Sequence, residues 1–462
     1  MVAESINAAA IPHGEKMNKE ALEVVPNSEK DLQTQYTSFQ DILSVQEFDE
    51  MAEKYQVESE RERKLWLKPF FWLMVFSSAT PSARGSLLQM IGFFLGAALL
   101  LFPEKKMSSL SKGAVSQHLK GTSWYFFRGV YNHLLAKYED ILDSEQKKYL
   151  GKFKDAFAID GSVISLCNMM SKIFASVHKD KASLKLNTKF SIRTGALTKL
   201  QVGNGRRHDS KFAFVTQAAG ILYIVDLGYW SFGLMQKIVD AGSFFVMRLK
   251  SNCNPLIVRV VHKDYQHLVG KRLSESSDFL AHQTGCGQVE LVVQLSSAKK
   301  PRFQADIRLV GLFHEGVWRF YVTNIFDIAF TPQHIYDLYA ARWQVEIFFD
   351  IIKNVLALQH IVSRTKNGIM VEIYSALIFH LLTLILIAIT AKQENRSIHE
   401  FSFEVTFKVL QGVMITHFHR FLLPSLAAVD EIFQALIRII SLMGLSSTPL
   451  QTFSLEQRFD AN

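Results

Sequence analysis

The segment YAARWQVEIFFDIIK, residues 339–353, carries four polar side chains in an otherwise apolar stretch. These are Tyr339, Arg342, Glu346 and Lys353, which are spaced by three, four and seven residues. On a helix of 3.6 residues per turn the four positions fall within about 60° of one another. The adjacent face is apolar and contains Val345, Phe348, Phe349, Ile352 and Leu356. The pattern predicts an amphipathic helix with one narrow polar stripe beside a buried face.

The start of this helix is also marked in the sequence. Thr331 can serve as the N-cap, and Pro332 then occupies the first helical position, where its missing N–H costs nothing. A carboxylate flanked by a phenol, a guanidinium and an ammonium indicates a site that handles phosphate or a metal ion. Ordinary i,i+4 pairs on a solvated helix face are the alternative.

Length and charge narrow the class of protein. The chain has 462 residues, of which 48% are hydrophobic and 12% aromatic, so we expect two or three globular domains. The net charge is +8, but residues 1–60 contain thirteen acidic residues and only four lysines, so the remaining body is strongly basic. A basic body attracts a polyanion, most often nucleic acid, and an anionic membrane surface is the alternative.

The cysteines point to a reducing compartment. Cys167, Cys253 and Cys286 are far apart in the sequence and lack metal-binding spacings, which argues against a disulfide framework and against a structural zinc site. The N-terminus carries acidic residues where a secretory signal has basic ones. We therefore expect a cytoplasmic protein.

Two apolar segments, residues 87–102 and 373–390, must be weighed as membrane spans. The first is shorter than the roughly 20 residues that a span needs. The second is long enough, but it is interrupted by Tyr374, Ser375 and His380. We interpret both as buried core helices and expect no membrane partner.

The chain divides into regions of different character. Residues 1–60 are acidic and weakly patterned, and we interpret them as a flexible leader. Residues 61–150 look helical and are a candidate DNA-binding domain. Within them, residues 108–142 contain two amphipathic runs around Lys120-Gly121-Thr122, compatible with a helix-turn-helix or with an ordinary helical hairpin. Residues 396–462 form a helical C-terminal region that is a candidate for dimerisation.

Strand-like runs occupy the middle of the chain. AFAID (156–160) and ILYIVD (221–226) are short apolar runs that read as buried strands, so Asp160 and Asp226 are predicted at or near strand ends. Further strand-like pieces between about 243 and 325 indicate a β-rich block that precedes the polar-stripe helix.

Three carboxylates can converge if the two strands are neighbours and the helix packs across them. Asp160, Asp226 and Glu346 would then offer the hard oxygen ligands that Mg²⁺ prefers. Two such ions can activate an attacking oxygen and stabilise a leaving oxygen during phosphoryl transfer. On the same stripe, Arg342 and Lys353 would neutralise phosphates, and Tyr339 can donate a hydrogen bond to a phosphate oxygen.

The spacing Tyr339-x2-Arg342-x3-Glu346-x6-Lys353 resembles the signature of IS4-family DDE transposases, the cut-and-paste group that includes the Tn5-type enzymes. Segments around both aspartates agree with it, namely DGS at 160–162 and YIVDLGYWSF at 223–232. FFVMRLKSN at 244–252 and YVTNI at 321–325 are similar to further family segments. The resemblance spans roughly residues 150–395.

The resemblance implies an α/β fold with an RNase H-like catalytic domain at 151–395, interrupted by a β-rich insertion at about 243–325 and flanked by helical N-terminal and C-terminal regions. It implies Asp160, Asp226 and Glu346 as catalytic residues and metal ligands for two Mg²⁺ or Mn²⁺ ions. Enzymes of this group nick the transposon end, form and reopen a hairpin, and insert the excised element into target DNA. They act as a homodimer on paired terminal inverted repeats, which places the protein at the bacterial nucleoid.

The resemblance also implies a residue for hairpin formation. Trp318 lies 28 residues before Glu346 and matches, by its strand and distance, the aromatic residue on which related enzymes catch an extruded base. A tryptophan packed between sheet and helix is the alternative.

Other basic residues are candidate DNA contacts. Arg248 and Lys250 alternate along a predicted strand and would face one side, either toward DNA or toward solvent. Basic clusters that could contact phosphates are Lys185 with Lys189, Arg206 with Arg207, and Lys299, Lys300 and Arg302. His208-Asp209 offers a rival for the second aspartate, but we prefer Asp226 because it ends an apolar strand.

We interpret the chain as a DNA transposase. A nuclease of the same fold that cuts without strand transfer is the alternative among enzymes, and a catalytically silent DNA-binding descendant is the alternative from another class. A strand-transfer assay with pre-cut ends separates the first two.

Overall fold

The computed structural model describes residues 36–445 except for 58–64, 81–85, 102–110, 143–151, 210–213, 217, 262, 277–286, 296–302, 304, 315, 357 and 422–428. Cys286, the cluster Lys299, Lys300 and Arg302, and the acidic sequence before residue 36 therefore lie outside the described residues.

One mixed sheet of nine strands organises the protein. The strands are β1 (Asp155–Leu166), β2 (Ala182–Ser191), β3 (Leu197–Asn204), β4 (Ile221–Val225), β5 (Phe244–Arg248), β6 (Leu256–Val260), β7 (Gln288–Gln294), β8 (Ile307–His314) and β9 (Val317–Thr323). Their order across the sheet is β3-β2-β1-β4-β5-β9-β8-β7-β6. β1 pairs parallel with β4 and β4 parallel with β5, whereas every other neighbouring pair is antiparallel.

The first five strands have the RNase H-like arrangement, in which three antiparallel strands are followed by two parallel ones. The predicted fold class is therefore confirmed. The β-rich insertion continues the same sheet, because β9 pairs with β5 and β6 to β8 follow outward from it. Three strands, β2, β3 and β6, were not among the predicted ones.

The sheet buries side chains on both faces, as its parallel strands require. In β4, Leu222 and Ile224 pack into one core, and Tyr223 and Val225 pack into the other. Long helices from the N-terminal and C-terminal regions cover the first face. The helix α7 (Phe232–Asp240) packs on the second face.

Six helices precede the sheet in the described residues. They are α1 (Phe39–Ile42), α2 (Val45–Lys54), α3 (Leu67–Ser78), α4 (Leu87–Leu101), α5 (Lys112–Gly121) and α6 (Trp124–Ile141). Residues 36–57, which we had placed in the flexible leader, are folded. Phe39 and Ile42 in α1 and Phe48 in α2 are buried, since apolar residues at helical spacing give these short helices a face to bury.

The helix-turn-helix pattern corresponds to α5 and α6, which differ in burial. α6 is a core helix, and its Tyr131 and Tyr138 hydroxyls donate to the carbonyl oxygens of Leu197 and Thr194 at 2.6 and 2.7 Å. α5 lies at the surface and exposes its lysines. This arrangement favours a structural hairpin over a free recognition helix.

The segment that carries the polar stripe is not one continuous helix. It comprises α8 (Pro332–Ala340), α9 (Trp343–Asp350) and a π-helix (Ile351–Val355), with a turn at Ala341 and Arg342. The predicted start is correct: the Thr331 hydroxyl accepts a hydrogen bond from the backbone N–H of His334, and Pro332 is the first helical residue.

The helical C-terminal region consists of α10 (Lys366–Gln393), α11 (Phe403–Phe421) and α12 (Asp430–Met443). α10 is the one helix in the described residues that is long and apolar enough to cross a membrane, but 94% of its apolar window is buried inside the protein. Because it packs against α3, α6 and α11, it is a central core helix, as the sequence predicts.

Candidate active site

Asp160 lies in the middle of β1 and not at a strand end, so that prediction was wrong. The parallel pairing of β1 with β4 stops at Ile159 and Val225, and beyond this point β1 continues only as the partner of β2. The side chain of Asp160 therefore stands where a neighbouring strand ends, in a gap that the sheet leaves open on one side. The backbone N–H of Gly161 donates to its Oδ1 at 2.7 Å.

Asp226 follows the last residue of β4 directly, as predicted. It caps a short 3-10 helix (Leu227–Tyr229), and its Oδ2 accepts a hydrogen bond from the N–H of Gly228 at 3.0 Å. Since β1 and β4 are parallel neighbours, Asp160 and Asp226 emerge side by side at the same edge.

The guanidinium of Arg342 brings the three predicted carboxylates together. Its Nη1 lies 2.7 Å from Oδ2 of Asp160 and 3.9 Å from Oδ1 of Asp226, and its Nη2 lies 2.6 Å from Oε1 of Glu346. The side chains of Arg342 and Asp160 are each only 13% exposed. Residues far apart in the sequence thus share one cation at the turn between α8 and α9.

The electrostatics of this cluster show excess negative charge. Burial and the neighbouring charge of Asp226 raise the pKa of Asp160 to about 6, although the Gly161 N–H and Arg342 act in the opposite direction. One guanidinium therefore does not fully compensate the carboxylates.

The cluster lines an open cleft of about 520 Å³, together with Ser162, Asp350, Lys353 and Asn354. We call it the carboxylate cleft. Burial lowers the pKa of Lys353. Tyr339 lies on the other side of Arg342, whose guanidinium carbon is 5.7 Å from the centroid of the tyrosine ring. Arg342, Glu346 and Lys353 thus line one cleft, as their spacing predicts, although the helix is broken, whereas Tyr339 does not line it.

The fit of this cluster to a metal ion can be judged from its donors. Among the described residues, no group of three or more His, Cys, Asp or Glu side chains is arranged to hold one ion, and the guanidinium of Arg342 takes the central position. The donor atoms nevertheless fit a hard divalent cation, because Asp160, Asp226 and Glu346 all present carboxylate oxygens and together carry uncompensated charge.

A second layer of polar side chains, which the sequence analysis largely missed, lies behind the two aspartates. The Tyr229 hydroxyl donates to Oδ1 of the fully buried Asn187 at 2.6 Å. Burial and the charges of Asp209, Asp160 and Asp226 raise the pKa of Tyr229. The DLGY segment is the one sequence signal that could have indicated this tyrosine.

Asp209, the rival for the second aspartate, is close to the cluster. A Cβ placed on Gly228 would lie 3.1 Å from Oδ2 of Asp209 and 3.4 Å from Oδ2 of Asp226. However, Asp209 forms an ion pair with Lys185 at 2.6 Å, whereas Asp226 lies 3.9 Å from the guanidinium of Arg342. The geometry therefore favours Asp226 as the partner of Asp160 and Glu346.

A second, cationic cleft of about 420 Å³ adjoins the first at Arg342. It is lined by Arg248, Arg319, Tyr321, Tyr336, Tyr339, Ala340, Arg342 and Trp343. Arg248 is the last residue of β5, whereas Lys250 lies beyond the strand in a turn and is not among the lining residues. The prediction that these two residues alternate along one strand was therefore wrong, because β5 ends at Arg248.

Trp318 lies near the start of β9 and is partly buried. Its ring stacks on Phe320 with centroids 5.8 Å apart and also contacts Phe313, on the side of the second core. Arg319 and Tyr321, which alternate with it, line the cationic cleft instead. Trp318 thus points to the face of β9 opposite the one that carries Tyr321.

Two of the predicted basic clusters have partners within the protein. Lys185 pairs with Asp209, and the ammonium of the buried Lys189 lies 3.7 Å from the ring centroid of Phe157. Nε of Arg206 donates to the carbonyl oxygen of Ser176 at 2.5 Å. These side chains are engaged in the fold, which weakens their candidacy as DNA contacts.

The chain matches a known protein family. The family model described as "Transposase DDE domain" matches residues 151–382, half of the chain. These residues include Asp160, Asp226 and Glu346.

Individual relatives are similar at lower identity. A probable transposase for insertion sequence element IS5377 from Geobacillus stearothermophilus is 26% identical over 232 residues, covering 50% of this chain and 56% of that protein. The transposase for insertion sequence element IS231F from Bacillus thuringiensis subsp. israelensis is 20% identical over 310 residues, covering 58% and 64%. The chain thus spans less than two thirds of the length of these curated relatives. The cryo-EM structure of a piggyBac transposase synaptic complex with hairpin DNA matches with a TM-score of 0.41 and 10% identity, over 88% of this chain and 85% of that one.

Proposed function

Because the chain belongs to the family of DDE transposases, we propose that it excises an insertion sequence from DNA and joins it to a target by phosphoryl transfer. The observation that carries this proposal is the convergence of Asp160, Asp226 and Glu346 on the guanidinium of Arg342. The three carboxylates come from β1, the end of β4 and α9, so only the fold brings them together.

DDE transposase domains generally use divalent metal ions. In this chain Asp160, Asp226 and Glu346 would hold them, and we propose two Mg²⁺ or Mn²⁺ ions. Such ions, when bound, supply Lewis-acid stabilisation of the attacking and leaving oxygens.

The cationic side chains of the two clefts position the DNA in this proposal. Arg342 stands where the clefts meet, and its planar fork matches a phosphate once the carboxylates no longer need it as a counter-ion. Lys353 supplies a point charge in the carboxylate cleft. Tyr339 and Arg248 present a hydroxyl and a guanidinium in the cationic cleft.

We also assign roles in the whole reaction to two further residues and to the two helical regions. Trp318 receives the base that leaves the stack during hairpin formation, and Lys250 contacts the backbone nearby. Residues 61–150 bind the terminal inverted repeat, and residues 396–462 contribute to a homodimer that holds two ends together. The protein acts on double-stranded DNA at the bacterial nucleoid.

Incubation of the purified protein with its own element's end DNA and Mg²⁺ tests the proposal. We expect nicked, hairpin and joined products on a denaturing gel. Glu346→Gln and Asp226→Asn should lose all three products and keep DNA binding in an anisotropy assay. Trp318→Ala should keep the nick and lose the hairpin.

Asp350→Asn is the matched control, since Asp350 is an exposed carboxylate that lines the same cleft one turn after Glu346. We expect it to keep activity. Cleavage by Glu346→Gln at the rate of the unmodified protein would refute the assignment. Nicking without any joining of pre-cut ends would instead identify a nuclease of the same fold.

A further inference from the structure

A cleft of about 770 Å³ lies apart from the two described above, between the N-terminal helices and the segment that leads into α10. Its lining residues are Ser86, Leu87, Leu88, Lys112, Ser116, Leu119, Lys120, Cys167, Gln359, His360, Ile361, Val362, Ser363, Arg364 and Thr365. We call it the basic cleft, because Lys112, Lys120, His360 and Arg364 line it and, within the described parts of the chain, no acidic residue does.

The cations of the basic cleft are not neutralised within the described part of the chain. Lys112 and Lys120 form no ion pair there, and the one contact of Arg364 is a hydrogen bond to the sulfur of Met169 at 3.7 Å. Other lysines have carboxylate partners, for example Lys137 with Glu47 at 2.7 Å and Lys185 with Asp209. Unpaired cations on a concave surface concentrate positive potential and attract a polyanion.

Hydrogen bonds hold the walls of the basic cleft in place. Nδ2 of Asn367 donates to the carbonyl oxygens of Leu119 and Thr122 at 2.9 and 2.7 Å, which ties the end of α5 to the start of α10. The buried carboxylate of Glu372 accepts from the backbone N–H groups of Val362 and Ser363 at 3.1 and 2.7 Å. Because these contacts need no ligand, the cleft is already formed before a ligand binds. Binding therefore requires little ordering of the protein.

Two helices begin at the basic cleft. Lys112 is the first residue of α5, and Thr365 is the N-cap of α10, with its hydroxyl accepting from the N–H of Gly368. The positive ends of both helix dipoles therefore add to the charge of the side chains.

The basic cleft is a neighbour of the carboxylate cleft. Gln359, which lines the former, donates a hydrogen bond to Asn354, which lines the latter. Gln359 follows Lys353 by only six positions in the sequence. A strand of DNA that leaves the carboxylate cleft past Lys353 would meet His360 and Arg364 next.

From these observations we propose that the basic cleft binds the sugar–phosphate backbone of the DNA that continues from the carboxylate cleft. The inference rests on the proposed function, since it takes DNA as the substrate. The polar side chains that line the cleft are mostly cations and small hydroxyls, which match phosphate oxygens and do not distinguish bases, and apolar residues such as Leu87, Leu88 and Ile361 line the rest. The cleft therefore adds affinity without sequence preference.

Cys167 allows a direct footprint, because its exposed thiol lines the basic cleft. The unmodified full chain is alkylated with iodoacetamide with and without a saturating duplex that carries the element's end, and each cysteine peptide is quantified by mass spectrometry. We expect DNA to slow alkylation of Cys167 by about fivefold or more. Cys253, a partly buried residue of the other core, should keep its rate.

A paired variant tests the charge. Lys112→Gln with Arg364→Gln removes two exposed cations of the cleft, whereas Lys237→Gln with Lys271→Gln removes two exposed cations on the opposite side of the sheet. Each phosphate contact contributes about 0.9 to the slope of log K against log salt concentration, so the cleft variant should lose about 2 from that slope and the control variant nothing. The loss should be the same on the end sequence and on an unrelated duplex.

An unchanged rate for Cys167 at saturating DNA, or equal salt slopes for the two double variants, would overturn the proposal. Protection of Cys167 without DNA that disappears when residues 1–35 are removed would also overturn it and assign the cleft to the acidic leader. Failure of the proposed function has a different signature, namely the absence of metal-dependent cleavage by the unmodified protein whatever the footprint shows.

Discussion

Replacement of Asp160 by Asn should change how the stability of the metal-free protein depends on pH. The folded protein holds the proton of Asp160 more tightly than the unfolded chain does, because burial and the charge of Asp226 raise its pKa from 3.8 to about 6. Between these two values the folded state binds more protons, so the free energy of unfolding falls as the pH rises through 6.

The size of this change in the free energy of unfolding follows from the shift in the pKa of Asp160. One pKa unit corresponds to about 1.4 kcal/mol, so the ionised Asp160 should destabilise the folded protein by about 3 kcal/mol at neutral pH. Since the side chain is 13% exposed, solvent screening removes only a small part of this value. About 2 kcal/mol of it should develop between pH 4.5 and 7.5, because the pKa lies inside that interval.

Urea denaturation in EDTA, followed by tryptophan fluorescence at several pH values, measures this difference. Between pH 4.5 and 7.5, the free energy of unfolding of Asp160→Asn should fall by about 2 kcal/mol less than that of the unmodified protein. An altered hydrogen bond to Arg342 shifts the variant by a constant amount at all pH values, so the comparison of slopes is independent of it. Parallel curves for Asp160→Asn and the unmodified protein would refute the placement of Asp160 in a buried, like-charged cluster.

Two other predictions concern the same cluster. Arg342→Gln should bind Mn²⁺ on the order of tenfold more tightly without DNA, a gain of about 1.4 kcal/mol, because the carboxylates lose their internal counter-ion. A titration followed by electron paramagnetic resonance measures the affinity for Mn²⁺. Equal or weaker binding by the variant would contradict this role of Arg342. Gly161→Ala should cost about 1–3 kcal/mol of stability, since the new Cβ would lie 2.9 Å from the Tyr229 hydroxyl and 3.1 Å from Oδ1 of Asn187. The cost should shrink in a Tyr229→Phe background, which removes the first contact, and an equal cost in both backgrounds would show that the hydroxyl is not the obstacle.

Local patterns in the sequence were sufficient where the physical cause is local. Thr331 and Pro332 mark the start of α8 because capping depends on adjacent residues, and the spacing of Arg342, Glu346 and Lys353 predicts that they line one cleft. The helix break at Ala341 and Arg342 has no such signal: neither residue is Gly or Pro, and the turn places a guanidinium among carboxylates that are distant in the sequence.

Features that depend on residues distant in the sequence could not be predicted from local patterns. The strand β1 runs past Asp160 because β2 pairs with it there, and a partner strand some 30 residues away is not visible in the run AFAID. Asp209 lies in a loop after β3, and the pairing of β2 with β3 brings this loop back to the cluster, where Lys185 pairs with Asp209.

The position of Arg342 reduces the repulsion among the three carboxylates of this site without neutralising them. Three carboxylates that lie close together repel one another, and this repulsion adds to burial, which is the larger cause, in raising the pKa of Asp160. A guanidinium within 2.7 Å of Asp160 and 2.6 Å of Glu346 reduces the cost without abolishing it, because one positive charge faces three negative ones. A lysine in the same place would present a compact charge and not a planar fork, so it would lack the rigid geometry that pairs Arg342 with Asp160 and Glu346. Incomplete compensation leaves the site with net negative charge, and that residual charge is what favours the entry of divalent cations in the proposed reaction.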